Sequence, residues 1–224
     1  MAETRWVTDT SEGHSDWYIE RFRALAADGA DLAGEARLVD AMVPRSARVL
    51  DAGCGTGRVG AELAARGHAV VGVDADPALV DAARADHPGP RWLVADLAEL
   101  DLRARGEDEP FDAAVLAGNV MVFLAPRTEV EVLRRVGAHV RADGFVIVGF
   151  HVHRDLALDD FDRYVTLAGL VIEHRFATWD LRAWGPDADF AVTVLRHAPT
   201  PSGPAAPSAA EARAGGPSPA GGRT

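Results

Sequence analysis

The sequence predicts an α/β protein in which helices cover both faces of a doubly wound, mostly parallel sheet. Short apolar runs alternate with amphipathic segments along most of the chain, and a glycine-rich stretch follows the first apolar run. The last two apolar runs are joined by a loop that has no room for a crossover helix. Such a loop indicates an antiparallel hairpin, so we expect a seven-stranded sheet with the last strand inserted antiparallel.

The composition is that of one ordinary globular domain with an extension. Of the 224 residues, 48% are hydrophobic and 25% are charged, which is typical of globular chains. The chain has one cysteine, so neither an internal disulfide nor a cysteine-based zinc site can form. We find no apolar run of about 18 residues and no basic, apolar leader. We therefore expect no membrane span and a cytoplasmic location.

The charge of the chain counts against one class of partner. The formal net charge is −11, and arginine supplies all 23 basic residues. A nucleic-acid-binding protein needs a basic face to neutralise phosphates, so we expect no nucleic-acid partner. Composition alone fits a small-molecule enzyme and a protein-binding module equally well.

The chain divides into three parts. Two helices, one expected over 15–28 and one capped by Asp31 and ending before Pro44, predict an N-terminal helical cap formed by residues 1–45. The alternating strands and helices fall in a core spanning 46–198. Residues 199–224 are rich in proline, glycine and alanine and have almost no large apolar side chain. Such a stretch cannot offset its ordering entropy, so we expect a disordered tail there.

Four strands are expected in the first half of the core, over 48–51, 69–74, 91–94 and 111–116. Between them, Asp76 followed by Pro77 predicts a helix N-terminus. In the second half, Thr128 and Glu131 fit a capping box, and a turn at 142–144 leads into a fifth strand over 145–150. A helix near 156–168 precedes the two strands of the hairpin, over 170–177 and 190–196.

The most informative stretch is Asp51-Ala52-Gly53-Cys54-Gly55-Thr56-Gly57, at the carboxyl end of the first strand. Open α/β sheets bind ligands at this edge, and glycines let the backbone approach a ligand closely. Gly55-x-Gly57-x-x-Gly60, with Asp74 at the next strand end, also satisfies a dinucleotide fingerprint. Asp51 would repel a pyrophosphate but attract an ammonium or a sulfonium group. The small size of Cys54 explains it better than a nucleophilic role.

From about 36 to 196 the sequence resembles the class I S-adenosylmethionine-dependent methyltransferases, which have a Rossmann-like fold. The resemblance is carried by four segments in order, namely 49–57, 72–74, 94–97 and 111–116. It implies that S-adenosylmethionine binds at the glycine loop, through Asp51, Gly53, Cys54, Gly55 and Gly57. It also implies that Asp74, followed by Ala75, accepts from both ribose hydroxyls.

The resemblance implies further contacts along the sheet edge. Asp96 would accept a hydrogen bond from the adenine amino group, the backbone amide of Leu97 would reach the ring, and Asn119 would line the methyl-donor end. The cofactor carboxylate needs a positive partner, for which Arg37 is our first choice because an arginine fork suits a carboxylate. Arg21 and Arg23 are alternatives.

The sequence identifies a catalytic group less well than a cofactor site. An alcohol or amine acceptor can require a general base, for which His151 and His14 are the candidates. His151 follows the fifth strand, and strand alternation lets only one of His151 and His153 face the site. We expect no metal, because no carboxylate cluster can be placed.

The segment after the fourth strand lacks the Asp/Asn-Pro-Pro-aromatic signature of family members that methylate DNA bases. We therefore expect a small-molecule acceptor that is methylated at oxygen or nitrogen. Two other interpretations stay open, namely a regulatory protein that binds the cofactor without turnover and a nicotinamide-dependent oxidoreductase. The pattern is compatible with a monomer or a homodimer.

Overall fold

The computed structural model describes residues 3–199 of the chain. Seven strands form one sheet in the order β3-β2-β1-β4-β5-β7-β6. The first five strands pair in parallel, and β7 runs antiparallel to both of its neighbours, β5 and β6. The predicted fold class, with the last strand inserted antiparallel, is therefore confirmed. All of the expected tail except its first residue lies outside the described residues.

A helix follows each of β1 and β2, and two helices lie between β4 and β5. The strands are β1 Arg48–Ala52, β2 Ala69–Asp74, β3 Arg91–Val94, β4 Phe111–Leu116, β5 Val140–His151, β6 Leu170–Phe176 and β7 Phe190–His197. The helices are α1 Arg5–Thr8, α2 His14–Ala27, α3 Gly34–Met42, α4 Arg58–Ala65, α5 Pro77–Asp86, α6 Val120–Phe123, α7 Glu129–His139 and α8 Leu158–Leu167. Two short 3₁₀ turns, Leu97–Glu99 and Arg103–Arg105, separate β3 from β4.

The central strands are buried on both faces, which explains why they read as continuous apolar runs. Val49 and Leu50 are adjacent in β1 and both fully buried, but they belong to hydrophobic clusters on opposite sides of the sheet. The cluster of Val49 includes side chains from α3 and α4, and that of Leu50 includes side chains from α7 and α8. Within residues 3–199, no helix has both the length and the apolarity to cross a membrane.

Two local predictions were wrong. Thr128 does not cap α7 with its side chain, because its hydroxyl donates instead to the carbonyl of Ala125 at 2.7 Å. Residues 142–144 form no separate turn but lie within β5. There the pairing with β4 shifts register, and Gly144 lies so close to the Asp112 carbonyl that a Cβ atom would stand 2.6 Å from it. A bulge at this glycine lets the strand continue.

The parallel arrangement of β1 to β4 brings their carboxyl ends to one edge of the sheet. The strand order reverses between β1 and β4, because β2 and β3 lie on one side of β1 and β4 lies on the other. This is the topological switch point, where open α/β sheets form a crevice for ligands. The loops that follow these strands therefore build the site.

Candidate functional site

A cavity of about 730 Å³ opens at this edge. Its floor is the glycine loop after β1, and its sides are the ends of β2, β3 and β4. The short helix α1 and the first turns of α2 supply further lining side chains. The volume lies within the range of sites for small molecules and cofactors.

The glycine loop needs its glycines for two physical reasons. Gly53 and Gly55 have φ angles of +81° and +53°, which most side chains avoid. A side chain at Gly53 would also collide with Val120, the first residue of α6. The turn is held by the N–H groups of Gly53 and Cys54, which donate to the Val73 carbonyl at 2.7 and 3.0 Å. The backbone thus passes close to the cavity.

Asp51 lies at the end of β1, just before the glycine loop, and its side chain binds the helix that follows the loop. Its side chain is 1% exposed, and one carboxylate oxygen accepts from the N–H of Gly60 in α4 at 2.9 Å. Burial raises the pKa of the Asp51 carboxyl to about 7, although the Gly60 N–H and the charge of Arg58 act in the opposite direction. Burial likewise raises the pKa of the Cys54 thiol, which therefore stays protonated and is a poor nucleophile.

Asp74, at the end of β2, presents a carboxylate to the cavity. One oxygen accepts from the N–H of Gly55 at 2.8 Å and the other from the N–H of Asp76 at 2.9 Å. Because a carboxylate oxygen can accept two hydrogen bonds, each still has a free acceptor position. Burial raises the pKa of Asp74. The arrangement suits a vicinal diol such as that of a ribose.

The third acidic residue of the sheet edge lies where the sequence placed it. Asp96 lines the cavity together with Ala75 and Leu97. One of its carboxylate oxygens accepts from the N–H of Ala98 at 2.8 Å and caps the 3₁₀ turn after β3. The other oxygen makes no hydrogen bond with any of residues 3–199. It is therefore available to a ligand.

Two arginines of the described residues line the cavity, Arg58 and Arg105, and the expected Arg37 is not among them. Arg37 lies outside the cavity lining, where both arms of its guanidinium bind Asp31 at 2.7 Å. Arg58, the first residue of α4, lines the cavity and forms a two-armed ion pair with Glu35 at 2.6 and 2.8 Å. Sequence reasoning missed Arg58, although its place directly after the glycine loop was a usable signal.

Arg58 keeps hydrogen-bonding capacity in spite of its ion pair. Its Nη1 donates to Glu35 and to the Leu32 carbonyl, and its Nη2 donates once to Glu35. A guanidinium has five N–H groups, so the Nε–H and one Nη2–H remain, side by side on one edge. Tyr18 also lines the cavity, and burial raises the pKa of its hydroxyl.

The structure separates the other expected site residues from the cavity lining. Asn119 lies between two lining residues, but its side chain accepts from the backbone N–H of His151 at 2.8 Å. The ring of His151 packs edge-on against Phe190. His14 packs against Trp6, with ring centroids 4.7 Å apart, and neither histidine lines the cavity. Among residues 3–199, no cluster of metal-ligating side chains occurs.

Trp6 forms a wall of the cavity that the sequence did not reveal. Its indole N–H donates to Asp76 at 3.0 Å and to Ser15 at 3.1 Å, and its ring packs edge-on against Phe123 at 5.2 Å. Asp76 also caps α5, as expected, by accepting from the N–H of Ala78. A single aromatic residue in a four-residue helix produces no periodic signal, so its role was visible only in three dimensions.

The donor and acceptor groups of the cavity fit S-adenosylmethionine. The buried Asp51 and the partly buried Asp74 favour a ligand with a positive sulfonium. Free acceptors on Asp74 and Asp96 match ribose hydroxyls and an adenine amino group, and the free edge of Arg58 matches a carboxylate. A dinucleotide pyrophosphate would meet these carboxylates with its own negative charge.

Comparison with known proteins agrees with this chemistry. The family described as "Methyltransferase domain" matches residues 49–144. The crystal structure of a TehB-like SAM-dependent methyltransferase from Corynebacterium glutamicum is 42% identical, with a TM-score of 0.78, and the match covers 84% of this chain and 100% of that one. The sugar N-methyltransferase KedS8 from Streptoalloteichus is 18% identical with a TM-score of 0.61, and the match covers 80% of this chain and 92% of that one.

One further relative is similar to this chain over a shorter length. YqeM of Bacillus subtilis, whose name places it among the methyltransferases, is 26% identical over 117 residues. That match covers 50% of this chain and 46% of the relative, less than half of its length. The similarity to the Corynebacterium protein, by contrast, spans that whole structure at 42% identity. The chain therefore belongs to the class I S-adenosylmethionine-dependent methyltransferases.

Proposed function

We propose that this methyltransferase acts on a small-molecule acceptor, at oxygen or nitrogen. One observation carries the proposal: the cavity of about 730 Å³ provides both the polar groups for the cofactor and an apolar wall beside them. Trp6, Phe123 and Leu124 belong to that wall. A crevice of this kind suits a compact, partly apolar acceptor. The sugar N-methyltransferase KedS8 has a similar fold, which supports the same class of acceptor.

The proposed cofactor contacts follow the order of the strands. Asp74 takes the ribose hydroxyls, with Ala75 beside it, and Asp96 and Leu97 take the adenine. The glycine loop, from Gly53 to Gly57, carries the part of the cofactor that joins the ribose to the amino-acid end. These assignments are supported by the lining of the cavity, which includes Gly53, Cys54 and Gly55 but not Gly57, and by the free acceptor positions on the two aspartates.

The amino-acid end of the cofactor is assigned to Arg58 and Tyr18. The free Nε and Nη2 edge of Arg58 can bind a carboxylate through two hydrogen bonds while Glu35 keeps the other edge. Tyr18 stands over Gly55, with its ring 3.6 Å from the place of a Cβ atom there, and offers a hydroxyl. Phe22 packs against both side chains and holds them in place.

The assignment of Arg58 predicts a ligand-selective loss of affinity. In Arg58→Gln, we expect S-adenosylhomocysteine to bind at least tenfold more weakly, about 1.4 kcal/mol, because a charged hydrogen-bond pair is lost. Binding of 5′-methylthioadenosine, which has no carboxylate, should change less than about twofold. Calorimetric titration of both ligands measures the difference.

Arg37 provides the matched control for this prediction. It is an arginine of the neighbouring helix whose side chain is half exposed and pairs with Asp31. Arg37→Gln should leave both affinities within about twofold of the wild type. If Arg37→Gln selectively weakens S-adenosylhomocysteine and Arg58→Gln does not, the assignment must return to Arg37.

The chemistry asks the protein mainly for positioning. S-adenosylmethionine supplies a methyl group on a positively charged sulfur, which is a good leaving group. The cavity walls align the acceptor for an in-line displacement. His14, behind Trp6, stays our candidate for a general base together with His151, and either needs a local rearrangement to face the acceptor. Neither role is required for an acceptor that is already nucleophilic.

Calorimetric titration with S-adenosylmethionine, S-adenosylhomocysteine and NAD, side by side, tests the proposal. We expect micromolar binding of the first two and none of NAD. Incubation with a tritiated methyl donor and fractionated metabolites should then yield labelled small molecules. Labelling of nucleic acid or protein alone would contradict the proposed acceptor class, and binding of NAD alone would contradict the cofactor assignment.

The remaining assignments concern the setting of the enzyme. We assign residues 1–45 to a cap over the cavity, because Trp6 and Tyr18 belong to its lining, and residues 46–198 to the catalytic core. A cytoplasmic location and the absence of a nucleic-acid partner are supported by the single, buried cysteine and the net charge of −11. Either a monomer or a homodimer is compatible with this arrangement.

A further inference from the structure

The segment after β4 forms a wall of the cavity that directly contacts the glycine loop. Ala117, Gly118 and Val120 line the cavity, whereas Asn119 between them does not. The side chain of Val120 fills the place that a side chain at Gly53 would need. The position of this wall therefore decides the shape of the cavity beside the glycine loop.

Asn119 attaches the wall to β5. Its side-chain Oδ1 accepts from the backbone N–H of His151 at 2.8 Å, and its own N–H donates to the carbonyl of Gly149 at 3.3 Å. Its φ angle is +69°, a left-handed conformation that asparagine tolerates better than most residues. Both the left-handed backbone and the side chain of Asn119 therefore contribute to attaching the wall to β5.

The end of β5 is a rigid support for this attachment. The strand is paired with β4 as far as Val148 and with β7 as far as His151, and residues 144–150 are buried. The ring of Trp179 occupies the space that a side chain at Gly149 would need. By contrast, α6 has only four residues, too few to hold the wall by itself.

We infer that Asn119 is a positioning residue for methyl transfer. Through the backbone of His151 it fixes the wall of Gly118 and Val120 beside the methyl group of the bound donor. The inference rests on the proposed function, because it places the reacting methyl group in this cavity. Without the attachment the wall gains alternative positions, and the contacts that separate a methylated sulfur from an unmethylated one weaken.

The test compares the affinities for S-adenosylmethionine and S-adenosylhomocysteine, which differ by that methyl group and its charge. Asn119→Gly removes the side-chain acceptor but adopts the left-handed conformation without strain. We expect it to bind S-adenosylmethionine about fivefold more weakly and S-adenosylhomocysteine less than about twofold more weakly, as the loss of one hydrogen bond allows. The thermal midpoint should fall by only a few degrees.

Asn119→Asp is the matched control, because it keeps both the acceptor and the tolerance of a left-handed conformation. It should retain the wild-type preference for S-adenosylmethionine or increase it. The inference is overturned if Asn119→Gly weakens the binding of both ligands by the same factor or fails to fold. It is also overturned if Asn119→Asp loses the preference for S-adenosylmethionine as Asn119→Gly does. A wild-type chain that binds neither ligand would instead contradict the proposed function itself.

Discussion

Replacing Asp74 by alanine is expected to weaken S-adenosylhomocysteine binding by at least a hundredfold. Two ribose hydroxyls would lose a charged acceptor, and each such bond contributes about 1.5–3 kcal/mol. The glycine loop also loses a support, because Asp74 accepts from the Gly55 N–H at 2.8 Å. Calorimetric titration at fixed pH and salt measures the change.

The control is Asp81→Asn on the following helix, which removes the same charge. The Asp81 side chain is 72% exposed and pairs only with Arg84 nearby, so its loss should change the affinity less than about twofold. Asp74→Asn adds a second comparison. One of its two ends must present an amide N–H to a backbone N–H donor, so we expect at least a tenfold loss even in that variant. If Asp74→Ala binds S-adenosylhomocysteine with a dissociation constant within threefold of the wild type, the assignment of Asp74 to the ribose hydroxyls is wrong.

The sheet could be predicted from the sequence because its strands are short, buried and apolar on both faces. Val49 and Leu50 belong to hydrophobic clusters on opposite faces of the sheet. Apolar and polar residues therefore do not alternate along the strand, and the continuous apolar run is recognisable as a buried strand. The acids at the strand ends could be predicted as well, since parallel strands bring their carboxyl ends to one edge. Asp51, Asp74 and Asp96 do lie at the same cavity.

The partner of an arginine could not be predicted in this way. Arg37 precedes the glycine loop and Arg58 follows it, and either spacing along the sequence is compatible with a contact to the cofactor carboxylate. Spacing along the sequence does not show where a long side chain points. Arg37 forms its ion pair with Asp31, six positions earlier, whereas Arg58 forms its ion pair with Glu35 on another helix. Which acid lies within reach is decided by how α3 packs against α4, and the packing angle is not encoded in a local pattern.

Trp6 and Asn119 illustrate a second limit. Trp6 contacts Ser15, Asp76 and Phe123, residues spread over more than a hundred positions, so no local periodicity marks it. The sequence placed Asn119 at the right loop but implied that its side chain meets the cofactor. In the structure that side chain accepts from the backbone N–H of His151, a partner 32 positions further along the chain that no local pattern indicates.

The largest effect of pH is expected at Asp51. Burial raises the pKa of its carboxyl to about 7 in the folded, ligand-free protein, against 3.8 for an exposed aspartate. The folded state therefore prefers the protonated carboxyl. Its stabilisation is complete below pH 4 and is lost as the pH rises through about 7. A gap of about three pKa units corresponds to at most about 4 kcal/mol.

Asp51→Asn isolates this contribution, because its amide is neutral at every pH. In urea titrations between pH 4.5 and 8.5, the free energy of unfolding of the wild type should fall relative to Asp51→Asn by up to about 3 kcal/mol. Asp81→Asn should follow the wild type throughout, since its exposed carboxylate is not buried on folding. Parallel pH profiles of the wild type and Asp51→Asn would show that Asp51 is ionised in the folded protein.

The same carboxyl links cofactor binding to proton release. A positive sulfonium in the cavity favours the ionised forms of Asp51 and Asp74, which burial disfavours in the ligand-free protein. At pH 6.5 we therefore expect S-adenosylmethionine to release more protons on binding than the uncharged-sulfur product does. Titrations in buffers with different heats of ionisation measure the number. Equal proton release by the two ligands, in the wild type and in Asp51→Asn alike, would mean that the charge of the donor is neutralised elsewhere and that Asp51 only supports the loop.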